Sequence, residues 1–376
     1  MDTTFAAPAA DIKKAPARPA AARLVFIDNI RWVMIFFVLS MHAAVTYSGN
    51  GGWYYKEHGL VSKPELFIFI TYQAFLQSFF MGLLFFVAGY FVPGAYDKKG
   101  GLRFLRDRAF RLGLPTLLYI LILGPVTEYV ANGNWEGGPK LGGTGPLWFC
   151  EALLIFSVVY GLARAAGWRD RAIAPTGGGI AIFIAIMAAA TFAVRISIDG
   201  GASVLNMHPG DFPQYILMYV AGAYGYRGDW LVRLADRACL RGAAIALILS
   251  VPLFAALIVF GGGLQGDTAR YSGGFNPVSA GKCLWEALVC AGMGLLMLAI
   301  YRRHFNAQGA LARFLSDNAF GVYLIHPPVL IAIAIALHPL AWPALAKAAL
   351  LTILAAIGSF AASAFVLRKS PLRAIV

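Results

Sequence analysis

Charge is what this chain has least of. Of its 376 residues only 13% are charged, against 59% hydrophobic, a balance that excludes an ordinary water-soluble domain. Cysteine is scarce as well. Cys150, Cys239, Cys283 and Cys290 include no Cys-x-x-Cys pair, so neither a metal site nor a disulfide framework is expected. The two halves show no mutual repeat, whereas many transporters are built from inverted repeats with paired broken helices. A cleavable signal peptide is also not expected, because the first apolar run is long and lacks a cleavage site.

What the chain does contain is apolar runs of membrane-spanning length, about 20 residues each. Ten are read, roughly at 25–48, 66–92, 112–131, 146–163, 178–198, 212–226, 242–263, 283–301, 318–338 and 344–367, the sixth being the shortest. The expected fold class is an all-α polytopic membrane protein, about ten transmembrane helices in one bundle. Residues 1–22, rich in Ala, Pro and Lys/Arg, are expected to be a disordered cytoplasmic tail. Residues 23–369 form the expected membrane domain and 370–376 a second short cytoplasmic tail.

A net charge of +13 invites a nucleic-acid reading. Its distribution argues for a lipid bilayer as the partner instead. With the N-terminus placed inside, 23 of the 31 Lys and Arg residues fall on the inner side and 6 on the outer side, while Arg31 and Arg195 lie in or at the ends of spans. Such a bias puts both termini in the cytoplasm of a cell's inner (plasma) membrane and requires an even number of spans. The outer loops hold Gly49 to Tyr55, Asn132 to Gly138 and Gly261 to Gly266, in which Trp53 and Trp135 sit among Gly, Asn and Glu. Such rings serve either as interface anchors or as stacking surfaces for sugars.

Arg31 and His42 lie eleven residues apart in the first run. At about 100° per residue they return to one helical face, about 16 Å apart along the axis, with Asp28 one turn before Arg31 on the same stripe. Ionisable groups in lipid are costly and normally face a bundle interior or a wet cavity. An imidazole there either bonds between helices or acts as a general base near neutral pH; Arg31, near the inner interface, is also explained by snorkelling. Arg103, Arg106, Arg108 and Arg111 open the third span from inside. They serve the positive-inside rule, and planar guanidinium groups also suit a phosphate clamp. Glu128, Glu151 and Glu286 are acids within or bordering spans, and Glu151 follows Gly145-Pro146-Leu147-Trp148. An unpaired carboxylate there is expected to be protonated or to seek a cation. His326 precedes Pro327 and Pro328, so it either bonds carbonyls freed by those prolines or faces a local cavity that they open.

Together these residues resemble the acyltransferase 3 family of integral-membrane acyltransferases. The resemblance rests on Asp28-x-x-Arg31 with His42, on Phe85 to Tyr90, and on the arginines from Arg103 to Arg111 before Pro115. It rests further on Leu147-Trp148-Phe149, Tyr323 to His326, and Ser370 to Arg373. Asn29 to Trp32, Met41 to Tyr47 and Gly145 to Phe149 look most like the branch containing the periplasmic glucan succinyltransferase, with other glycan O-acetyltransferases close to it. The resemblance implies transfer of an acetyl or succinyl group from cytoplasmic acyl-CoA (acetyl-CoA or succinyl-CoA) to a sugar hydroxyl of a periplasmic or extracellular glycan, with no permanently bound cofactor. On that reading His42, Arg31 and Asp28 are catalytic, His42 being the general base. The arginines at 103, 106, 108 and 111 hold the CoA phosphates, and Trp148, Glu151 and His326 contact substrate. Glycan-synthesis proteins are the expected protein partners. The alternative is a transporter of amphiphiles or glycan precursors that uses His42 and Arg31 as proton-relay or substrate groups.

Overall fold

A computed structural model describes residues 24–57, 59, 61–134, 141–233, 236–266, 268–370 and 373. The tail expected over 1–22, Trp135, and most of 370–376 lie outside the described residues. Among the described residues ten long helices organise the chain: α1 Val25–Ser48, α2 Lys63–Lys99, α3 Gly101–Asn132, α4 Gly145–Ala165, α5 Gly177–Ser197, α6 Phe212–Arg227, α7 Asp236–Phe260, α8 Pro277–His304, α9 Ala310–Leu337 and α10 Ala344–Leu367. Among the described residues there is no strand, only the isolated bridge Val204–Met207. The chain is thus an all-α polytopic membrane protein.

Nine of these helices are long and apolar enough to cross a membrane; α6, at 16 residues, falls short. Its packing explains why it needs less length. It runs parallel to α2, from Gln77 beside Asp211 at one end to Asp97 beside Arg227 at the other. Both of its ends therefore find polar partners on α2, the neutral Gln77 near the middle of that helix and Asp97 near its end. The two helices meet through glycine. A Cβ on Gly89 would lie 2.1 Å from the Tyr219 carbonyl oxygen, and one on Gly222 equally close to that of Phe86. Only glycine allows this approach, as in other membrane helix pairs joined by small residues.

Local signals set the ends and kinks. Ser62 and Glu65 form a reciprocal capping box at the start of α2, and Gly49 closes α1 in the left-handed conformation at φ 69°. In α3, π turns at Ala109–Gly113 and Tyr119–Leu123 stand just before Pro115 and Pro125. A proline has no N–H and its ring clashes with the preceding turn, so a widened turn absorbs the misfit. α1 packs against α2, α8, α9 and α10, while α5 and α7 pack along α8.

Candidate active site

The centre of the site is a set of three nearly parallel rings. His42, late in α1, stacks on Trp53 of the following loop with ring centroids 3.8 Å apart and planes 14° from parallel. The imidazole of His326 in α9 stacks on His42 at 5.3 Å and 19°. His42 Nδ1, Trp53 Nε1 and His326 Nε2 are all buried without a hydrogen-bond partner. Buried polar atoms are nearly always paired, so three orphans in one cluster mark a place where another molecule supplies the bonds.

The orientation of His326 follows from its sequence. Pro327 has no N–H to give the carbonyl of Tyr323 four residues earlier, and His326 Nδ1 takes that place at 2.8 Å. A carbonyl only accepts, so Nδ1 carries the proton and Nε2 presents a bare lone pair. The reading of His326 as a partner for a carbonyl freed by proline describes its Nδ1, while its Nε2 lies in the ring cluster.

The start of α4 closes one side. The Tyr323 hydroxyl, one turn before His326, donates to the Pro146 carbonyl, and Phe149 packs edge-on against Tyr323 at 6.3 Å. Gly145 has φ 50°, and a Cβ there would lie 2.6 Å from the Tyr54 hydroxyl and the Tyr119 ring. Those two tyrosines share a hydrogen bond of 3.1 Å. Burial raises the Tyr54 hydroxyl above the ordinary phenol range, with its bond to Tyr119 opposing that; it stays protonated at neutral pH. Trp148 packs on Phe85 and Tyr215 rather than on the histidines. One turn further, Glu151 Oε2 is buried without a partner.

The structure does not bring Arg31 to His42. Three helical turns separate them, as the spacing predicts. Arg31 bonds Asp28 at 3.2 Å and lies over the Phe91 ring at 5.2 Å. Nor do the four arginines of α3 form one clamp. Arg103 and Arg106 line an open groove of about 660 Å³ with Phe110, Leu114 and Leu117 along one face, while Arg111 pairs with Asp107 at 3.3 Å. Arg108 alone turns into the bundle. It lies over Phe104, within electrostatic reach of Tyr219, and its Nε is buried without a partner.

Sequence reasoning missed three polar assemblies. At the C-terminal ends of α2, α4 and α6, Arg164 and Arg227 both bond Asp97 and Asp170. At the C-terminal end of α5 and the start of α8, Arg195 bonds Asp211 at 2.6 Å and Glu286 at 2.7 Å. Near the ring cluster, Glu57 bonds Lys347. Lys347 is fully buried in α10. No spacing rule links such distant partners; the signal within reach was a lone lysine in an apolar run.

A model described as an acyltransferase domain, that of the acyltransferase 3 family, matches residues 24–368. No curated protein and no solved structure matches the chain.

Proposed function

The chain belongs to the acyltransferase 3 family and is a membrane acyltransferase, and from that premise we propose that it moves an acetyl or succinyl group from cytoplasmic acyl-CoA to a hydroxyl of a glycan on the far side of the membrane. The observation that carries this reading is the cluster of His42, His326 and Trp53 with its three unpartnered nitrogens. Two imidazoles supply a base and a hydrogen-bond acceptor, and the indole supplies a donor and a flat face for a sugar. Succinyl transfer to a glucan is the form suggested by the motifs around Asn29, Met41 and Gly145.

The donor enters from the arginine side. The inward guanidinium of Arg108 meets a CoA phosphate, with Arg103, Arg106 and Arg111 adding positive charge at the rim. Arg31, with Asp28 fixing its orientation, faces the donor at the inner end of α1. The pantetheine arm carries the thioester up toward His42. There the acceptor hydroxyl gives its proton to His42 as its oxygen attacks the thioester carbonyl carbon. The C–S bond breaks, the ester C–O bond remains, and the proton passes to the CoA thiolate. His326 Nε2 accepts from a neighbouring hydroxyl of the acceptor sugar and aligns the ring, and Trp148 and Glu151 contribute to the acceptor side through the start of α4. The course of α6 along α2 supports ten crossings, with both termini in the cytoplasm of an inner (plasma) membrane. Glycan-synthesis proteins are the natural suppliers of the acceptor.

The test is mass spectrometry of envelope glycans from strains with and without the chain. Loss of an acetyl- or succinyl-sized increment identifies acyl group and acceptor together. Identical glycan masses in the two strains would sink the proposal.

A further inference from the structure

The loop between α1 and α2 that carries Trp53 is tied down at both ends. At its start, Asn50 Nδ2 donates to Gln73 Oε1 at 2.8 Å, and Gln73 Nε2 donates to Ser48. At its far end, the Glu57 backbone N–H donates to the Thr46 carbonyl, one turn beyond His42. The Glu57 carboxylate meets Lys347 Nζ at 2.5 Å, with side-chain exposures of 2% and 0%. Lys347 Nζ also donates to the His338 carbonyl and lies over the Tyr47 ring at 5.3 Å. Trp53 sits between these two anchors.

A fully buried ion pair is a poor way to add stability. The charges lose their hydration, and apolar residues of similar size often do as well or better. What such a pair favours is one arrangement, because a loop placed otherwise leaves both buried charges without each other. The remaining ties, Asn50–Gln73, Gln73–Ser48, Tyr54–Tyr119 and the Glu57 N–H to the Thr46 carbonyl, are neutral hydrogen bonds, individually weaker than charge-assisted ones.

We propose that Glu57 and Lys347 are positioning residues: their ion pair is a latch that holds the loop on α10 and so keeps Trp53 stacked on His42. Neither residue touches the ring cluster; the effect on His42 runs through Trp53. The meaning of the latch for the reaction rests on the role of His42 proposed above, whereas its existence does not.

The test uses the full chain in detergent micelles and the labelling rate of individual histidines by diethyl pyrocarbonate, read by peptide mass spectrometry with His208 and His304 as internal controls. In the native protein His42 and His326 label slowly. Lys347→Met leaves the Glu57 carboxylate with only the His338 imidazole, whose Nδ1 lies 3.6 Å away, and should speed labelling of both by about tenfold or more, the size expected when a local opening becomes easier. Should that variant fail to fold, the neutral pair Glu57→Gln with Lys347→Met removes the latch without stranding a charge. It should show the same acceleration while keeping its melting transition, and Trp53→Ala should match it. Native-like protection of His42 in the folded neutral pair would overturn the proposal and leave the ion pair a packing feature. Labelling needs no turnover, so unchanged glycan masses would defeat the proposed reaction without touching the latch.

Discussion

Replacement of His42 separates proton transfer from packing by magnitude. The ring does two things in the structure: it presents a buried, unpartnered Nδ1 and it stacks on Trp53 at 3.8 Å. A general base contributes about 10²–10⁴-fold, equivalent to about 2.7–5.4 kcal/mol of barrier at about 1.36 kcal/mol per decade. An aromatic contact is worth about 0.5–1.5 kcal/mol, which even if spent entirely on the barrier is about tenfold. His42→Gln keeps a planar hydrogen-bonding group without basicity, whereas His42→Ala removes ring and base together. Both variants should bind acyl-CoA normally and lose more than about 10²-fold in transfer. The assay is release of free CoA thiol from acetyl-CoA and from succinyl-CoA in the presence of glycan extract, with donor binding measured separately by calorimetry. A His42→Gln protein within tenfold of the native rate would refute the base and reduce His42 to a spacer between Trp53 and His326.

Two further outcomes follow from the geometry. Arg108→Gln should weaken acyl-CoA binding by about tenfold to 100-fold, since a hydrogen bond to a charged group is worth about 1.5–3 kcal/mol; Arg103→Gln with Arg106→Gln, on the outward face, should cost less, and calorimetry showing the reverse order would place the donor in the groove of α3 instead. Gly89→Val drives a side chain into the Tyr219 carbonyl and should destabilise the bundle by about 3 kcal/mol or more; an unchanged thermal melt would mean that α2 and α6 do not cross at that glycine.

The span pattern was legible because lipid imposes it: uninterrupted apolar runs and basic inner loops are physical requirements. α6 resisted that logic because its length is set by α2, with Gln77 and Asp97 meeting its two ends. Within the site, the face shared by Arg31 and His42 followed from helical periodicity, and so did the carbonyl freed by Pro327. The meeting of His42 with His326 was not readable, since no rule of spacing governs two helices 284 residues apart in the chain. The arginines of α3 teach a different lesson. Arg106 and Arg108 differ by about 200° around a helix axis, so periodicity alone already divided a cluster that composition presented as one clamp.

The ion-pair assemblies also decide which parts of the bundle are free to move. Arg195 with Asp211 and Glu286 braces α5, the start of α6 and α8 at one end of the bundle. Arg164 and Arg227 with Asp97 and Asp170 brace α2, α4 and α6 at the other. Between them the glycine crossing leaves no space for sliding, because backbone meets backbone. That wall is rigid by construction. Two other elements are built differently. α3 is broken by two π turns, and the Trp53 loop depends on one buried ion pair and a few neutral hydrogen bonds. Local openings start where bonds are few and backbone is irregular. For the proposed reaction, α3 and the Trp53 loop are therefore the elements whose opening admits donor and acceptor, while the braced α2, α6 and α8 hold the register of the reacting groups.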